Sequence, residues 1–381
     1  MQPLSTVCDG VASAMAIANA SPPLPASGLC VVVTGANGFI GGHIVIALLR
    51  EGHTVHGTLR DPNSAKAAFL RELPRHVGVP DDRLRLFPAD LLLPGSFDNA
   101  VTGAHVVVHA AAVVKDEYDK DPFAEVINPA VDGVRNVMAA CRKAGTIRRV
   151  VYTSSIGTVL CAEKDRPPHR RRQPFTESEW GCNTKLSPTY GTYVYAKVEA
   201  EKVFYEEWKG PHVVLCPGFV FGPQLNSEIT SSQQVLRLLV NREYPVCPRL
   251  FFEWVDVRDV ARAHALAVTS SLTSGRFHIT SGSVHDVSVY AKHINALFPG
   301  ELRCPTMLTP WWALYLLSFC DKRITRYMLE QVAVETSPCD ATASKRDFGF
   351  HYHYGDLDVT LRDTIASFRT HGILKSHKKA A

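Results

Sequence analysis

The sequence predicts an α/β fold: a Rossmann-type doubly wound parallel sheet with a smaller C-terminal substrate lobe. Three observations carry this. A β-branched run, Val31-Val32-Val33, leads directly into a glycine-rich turn and then an apolar helical stretch. Strand-like runs at about 54–59, 83–87, 105–110, 149–154 and 212–216 alternate with helical segments, the pattern that builds a parallel sheet. The chain has 381 residues and is 46% hydrophobic, enough to bury the core of such a sheet and a second lobe.

The glycine turn follows the first strand. Gly35, Gly38 and Gly41 are spaced G-x-x-G-x-x-G, and the helix after them runs to about Leu49. Glycines at this spacing let the backbone turn sharply, approach a pyrophosphate and pack a helix tightly on the sheet. The helix N-terminus adds unpaired N–H groups and a positive dipole end. Gly35, Asn37, Gly38, Phe39, Ile40 and Gly41 are therefore candidate cofactor contacts. The second strand ends in Arg60-Asp61-Pro62. Arg60 stands where a dinucleotide fold meets the adenosine ribose, and a guanidinium fork suits the 2′-phosphate of NADP better than the free hydroxyl of NAD. NADP is favoured over NAD on this residue, with Lys66 as a second cation and Asp61 as a competing acid. The third strand leads to Asp90-Leu91 and the fourth to Ala110-Ala111-Ala112. Both ends fall at the carboxyl edge of the sheet, where ligands bind, and the alanines leave room for a cofactor close to backbone.

The fifth strand ends in Ser154-Ser155, and Tyr193-Val194-Tyr195-Ala196-Lys197 opens a helix that reads through about Trp208. Tyr193 and Lys197 stand at i and i+4, on one helical face. A lysine ammonium beside a phenol lowers its pKa from near 10, which makes the tyrosine an acid–base catalyst. A serine at a strand end can hydrogen-bond a reacting carbonyl oxygen. Tyr195 is a rival acid, but two residues from Lys197 it lies off that face.

In this order along the chain, these residues resemble the extended short-chain dehydrogenase/reductases of the NAD-dependent epimerase/dehydratase superfamily, over about residues 29 to 370. Arg60-Asp61-Pro62, Asp90-Leu91 with Gly95-Ser96-Phe97, and Ser154-Ser155-Ile156-Gly157-Thr158-Val159 resemble the dihydroflavonol reductase branch. That branch also holds cinnamoyl-CoA reductases and methylglyoxal-type carbonyl reductases. The resemblance implies Ser155, Tyr193 and Lys197 as the catalytic triad and Pro217, Gly218, Phe219 and Val220 as the loop beside the nicotinamide. It implies reduction of a ketone or aldehyde on a small organic substrate. Trp254 to His264 resembles the segment that packs the second domain, and its charges read as structural. Leu160 stands where dihydroflavonol reductases carry an asparagine, and Gly191-Thr192 where cinnamoyl-CoA reductases carry Asn-Trp, which argues against both of those substrates. The alternatives are NAD-dependent oxidation of a sterol 3β-hydroxyl and a non-catalytic nucleotide sensor.

A net charge of +4, from 41 basic and 37 acidic residues, argues against nucleic-acid binding. Arg170-Arg171-Arg172 reads as a solvated insertion loop. Ten cysteines show no metal spacing and read as reduced thiols of an intracellular, cytoplasmic protein. His351-Tyr352-His353 reads as a terminal strand, and no metal is expected. Residues 1–28 read as a flexible extension, 29–215 as mainly the NADP-binding domain, 216–370 as mainly the substrate lobe with a return to the core, and 371–381 as a basic tail. The lobe should include Phe277-His278-Ile279 and the apolar segment 307–320, with Trp311 and Trp312 packed inside it. That segment is too short to span a bilayer. A shallow membrane contact is its minority reading. Lys378-Lys379-Ala380-Ala381 resembles an endoplasmic reticulum retrieval signal and is read as a solvated tail, which leaves that organelle's surface as the minor alternative location. The oligomeric state is open.

Overall fold

The structure, a computed structural model, describes residues 24–113, 121–181, 191–229, 231–243, 246–320, 329 and 336–375. Most of the N-terminal extension and the Lys378–Ala381 end of the tail lie outside the described residues. Seven strands form one parallel sheet: β1 Cys30–Thr34, β2 Thr54–Leu59, β3 Leu84–Pro88, β4 Val106–His109, β5 Arg149–Thr153, β6 His212–Pro217 and, later in the chain, β10 Ser274–Ile279. Their order is β10-β6-β5-β4-β1-β2-β3. The chain reverses its direction of travel between β1 and β4, and the carboxyl ends of those two strands form the crevice in which such sheets bind ligands.

Helices cover both faces of this sheet and others build the lobe; among the described residues they are α1 Phe39–Arg50, α2 Ala68–Val77, α3 Asp98–Val101, α4 Asn128–Ala144, α5 Gly191–Glu207, α6 Ser231–Val240, α7 Val257–Thr269, α8 Val287–Leu297, α9 Trp311–Ser318, α10 Thr342–Arg346 and α11 Leu357–Thr370. The alternation of a strand sends Val31 and Val33 into one core with Ile44, Leu48 and Val260, and Val32 into the opposite core with Val134, Met138 and Phe204. A third core forms the lobe, where Phe221, Leu236, Tyr290, Ile294, Leu361 and Phe368 pack together. Its frame is a small sheet in which β9 Phe251–Asp256 pairs with β7 Phe219–Phe221 and with β11 Val284–Asp286.

Five expectations are corrected. Phe277-His278-Ile279 belongs to the main sheet, because α7 crosses back over it and β10 adds in parallel beside β6, burying all three residues. His351-Tyr352-His353 is not a strand: the Asp259 carboxylate accepts the N–H groups of His353 and Tyr354 at 2.9 and 2.8 Å, the donors a neighbouring strand would need. The helix that three-to-four apolar spacing predicts over about Phe123 to Lys143, with Val131, Val134, Met138 and Cys141 on one face, is regular only from Asn128. Residues Phe123–Ile127 form a wider π-type turn, upstream of Pro129, which has no N–H to give the preceding turn. Trp311 and Trp312 are not packed inside the lobe but are 51% and 64% exposed. Helix α9 rests on the lobe through Leu314, packed against Leu250 and Leu329, and through Trp311 Nε1, which donates to Leu329 O at 3.2 Å. Finally, Cys30, Cys141 and Cys216 are free thiols, but Cys161 is disulfide-bonded.

Candidate active site

The glycine turn is shaped by backbone proximity. Gly35 has a left-handed φ of +68°, and a Cβ on it would lie 3.1 Å from Ala111 Cα. A Cβ on Gly41 would lie 2.1 Å from the carbonyl oxygen of Gly35, which no side chain survives. Helix α1 therefore starts hard against the end of β1. Gly38 caps it in extended geometry with no side-chain cap, and its first turn has no acid, so its amide end is open to an anion. This cradle, which a Cβ would fill, fits the pyrophosphate of a dinucleotide. Thr34 ties the ends of β1 and β4 together: its hydroxyl lies 2.8 Å from His109 Nδ1 and accepts the amide of Ala111 at 3.0 Å. Burial first, and the Lys197 charge second, push His109 down to about 3, so its ring is neutral.

Leu91, Ala111, Ala112 and Lys197 line a common cleft with His109 and Tyr152. The remaining expected cofactor contacts are not among its walls. Ala110 is half-buried at the end of β4, and Phe39 is buried in the core while Asn37 and Ile40 are partly open. Asp90 folds its own turn, its carboxylate accepting from the amide of Leu92 at 2.9 Å. Arg60 is exposed just past β2 and makes no ion pair among the described residues. Lys66 is exposed nearby, but its ammonium contacts Glu228 at 2.8 Å, so an anion there competes with that carboxylate. Pro217, Gly218, Phe219 and Val220 are not among the walls of the cleft. They join sheet to lobe: a Cβ on Gly218 would lie 2.4 Å from Glu253 O, and Phe219 stacks on Phe252 at 4.0 Å.

Ser155 leaves β5 in extended geometry and caps the tight turn Ile156–Thr158, its Oγ accepting from the amide of Gly157 at 3.1 Å. A Cβ on Gly157 would touch Ser155 Oγ at 3.3 Å and Val194 Cγ2 at 3.4 Å, so this turn lies against the first turn of α5. Tyr193 is part-exposed on that first turn, and Lys197 is buried one turn further on. Lys197 Nζ donates to Thr153 O at 3.1 Å and lies 5.9 Å over the Tyr152 ring. Burial lowers its pKa to about 8, against the opposing pull of Glu201 and then Cys216. Tyr195 points elsewhere, edge-on to Phe123 at 6.3 Å and packed on Val126, Ile127 and Ala196.

Sequence reasoning missed the support behind this set. Glu201, fully buried, takes Arg276 Nε at 2.7 Å and accepts from the hydroxyl of Ser154. Arg276 also donates to Thr158 Oγ1 at 2.7 Å and to the carbonyls of Glu177 and Glu179, and lies over the Trp180 ring at 4.5 Å. Burial opposes the charge of Arg276, but Glu201 outweighs it and holds the group firmly protonated. Glu201 was within reach of the sequence, four residues past Lys197 on the same helical face. Arg276 was not, since only the β6–β10 pairing brings it there.

A nucleotide cradle at the switch point, with a buried lysine beside it on the helix after β5, defines a Rossmann-fold oxidoreductase of the short-chain type. The match to known families is specific. Residues 31–279 match the NAD dependent epimerase/dehydratase family, and the chain belongs to it. Cinnamoyl-CoA reductase CAD2 of Medicago truncatula is 36% identical over 331 residues, covering 85% of this chain and 97% of that protein. A dihydroflavonol 4-reductase of Zea mays is 34% identical over 265 residues, 68% of this chain and 71% of its own. The crystal structure of Gre2 from Candida albicans in complex with NADPH superposes with a TM-score of 0.69 at 26% identity, covering 92% of this chain and 100% of that one. The chain is an NAD(P)-dependent oxidoreductase of this reductase type. No helix among the described residues is long and apolar enough to cross a membrane.

Proposed function

We propose that this protein is an NADP-dependent reductase that transfers a hydride to the ketone or aldehyde carbon of a small organic substrate, with Tyr193 as the proton donor. The observation that carries the reading is the buried Lys197 one helical turn from Tyr193, on a helix whose first turn packs against the Ser155 turn. NADPH, when bound, supplies the hydride. The glycine cradle receives its pyrophosphate and Arg60 its 2′-phosphate. The Gly157 amide already occupies a lone pair of Ser155 Oγ, so the hydroxyl proton of Ser155 is left to donate to the substrate oxygen. Lys197, pinned by Thr153 O and with a pKa of about 8, is mostly charged at neutral pH. That charge favours the phenolate form of Tyr193 and readies its proton for the developing alkoxide.

Tyr193→Phe tests this. It should keep the melting temperature and NADPH affinity while turnover of an aldehyde or diketone falls by roughly 10²–10⁴, the share a positioned proton donor supplies. If Tyr193→Phe turns over normally and Tyr195→Phe is inactive, the donor is Tyr195. If both retain activity, the proton comes from neither.

A further inference from the structure

The segment after β7 is held by the lobe at one end and by the nucleotide-binding domain at the other. Its base is fixed in the lobe. Gln233 Nε2 donates to Gly222 O at 2.9 Å, and the amide of Gln224 donates to Ser367 Oγ on α11 at 2.8 Å. The chain then crosses the start of α1, where His43 Nε2 donates to Pro223 O at 2.9 Å. A Cβ on Gly42 would lie 2.7 Å from Leu225 Cδ1 and 3.2 Å from Phe69 Cε2, so both side chains rest on bare helix backbone. The Asn226 carbonyl accepts the amide of Glu228 at 2.8 Å and fixes the last turn of the segment. Glu228 Oε2 then meets Lys66 Nζ at 2.8 Å. Residues 222–228 thus form a strap from the lobe, and its acidic tip sits on Lys66.

Charge decides what that tip does. Arg60 makes no ion pair among the described residues. Asp61 is engaged in its own turn, its Oδ1 accepting the amide of Asn63 at 2.8 Å. Glu228 is the carboxylate that contacts a cation of this turn. A phosphate monoester carries close to two negative charges at neutral pH. Drawn toward Lys66, it meets a like charge already in place, and the ammonium must give up Glu228 or the phosphate must bear the repulsion. A free ribose hydroxyl meets neither cost. The two side chains are 62% and 52% exposed, so the pair is weak and sets a margin rather than a block.

We propose that Glu228 is a specificity-determining residue of the cofactor site. It is a counter-ion of Lys66, delivered by the lobe, that a 2′-phosphate must displace, and it narrows the preference for NADPH over NADH. This rests on the reading of Arg60 and Lys66 as the cations of the 2′-phosphate. The test is calorimetric titration of the full-length protein with NADPH, NADH and adenosine 2′,5′-bisphosphate at low ionic strength, where an exposed pair is least screened. Glu228→Gln should tighten NADPH and the bisphosphate by about two- to fivefold, the worth of an exposed ion pair, and leave NADH unchanged. In a Lys66→Gln background the same substitution should bring no gain. An equal gain for NADH would overturn the proposal, since the strap would then merely have loosened. A gain that survives without Lys66 would overturn it as well. Wild-type protein that binds NADPH and NADH alike would remove the NADP reading and this proposal together. A wild-type preference for NADPH that Glu228→Gln leaves unmoved or reduces would remove this proposal alone.

Discussion

Glu201→Gln is the sharpest probe of how the site is held. The substitution keeps the shape of the side chain but removes the counter-charge of Arg276, whose side chain is only 9% exposed. Breaking a buried pair by removing one partner costs about 3–5 kcal/mol, because the remaining charge is left uncompensated. The glutamine carbonyl still accepts one hydrogen bond from Arg276 or Ser154, so the lower end applies. At roughly 2–4 °C per kcal/mol for a large domain, the melting temperature should fall by about 6–12 °C. A second effect separates positioning from mere structure. Glu201 is the leading group that opposes the burial-driven fall of the Lys197 pKa. Without it the ammonium of Lys197 loses its proton at lower pH, so the alkaline limb of kcat/KM, expected near 8 in the wild type, should move to more acidic pH. Differential scanning calorimetry and a pH–rate profile for one aldehyde substrate read both effects. Melting within about 1 °C of wild type would refute the cost assigned to the buried pair. An unmoved alkaline limb would refute the electrostatic link to Lys197.

Two further outcomes follow from groups elsewhere in the fold. Arg60→Ala should cut the preference for NADPH over NADH by roughly tenfold to a hundredfold, the worth of about 1.5–3 kcal/mol for a charge-assisted contact; fluorescence titration with each cofactor reads the ratio, and an unchanged ratio would remove Arg60 from the 2′-phosphate. Burial holds His43, His264 and His278 down to about 4 and His109 to about 3, against an ordinary value of 6.5. Their folded pKa values are depressed, so the unfolded chain takes up protons first as pH falls below about 6.5. Stability should therefore decline from pH 6.5 toward pH 4, and thermal melts flat across that range would contradict neutral burial of these rings.

The sequence by itself determined the class of fold and the order of its chemistry. The β-branched run before Gly35, the glycine spacing and the i, i+4 placement of Tyr193 and Lys197 are local patterns, and local backbone geometry enforces them wherever the chain goes. Gly41 is legible because no other residue fits against the Gly35 carbonyl. Periodicity likewise located β1 to β6 and the face of α4 that carries Val134, Met138 and Cys141. What only tertiary structure decided are the partnerships between distant segments. Phe277–Ile279 joins the main sheet because β6 offers an open edge to pair with. That pairing then carries Arg276 to Glu201. Lys66 meets Glu228 from 162 residues away, and no local rule announces it. The direction in which α9 turns its aromatic face was equally illegible. Trp311, Trp312 and Tyr315 read as core in any hydrophobicity pattern, and whether such a face meets protein or solvent depends on the neighbours that the rest of the chain supplies.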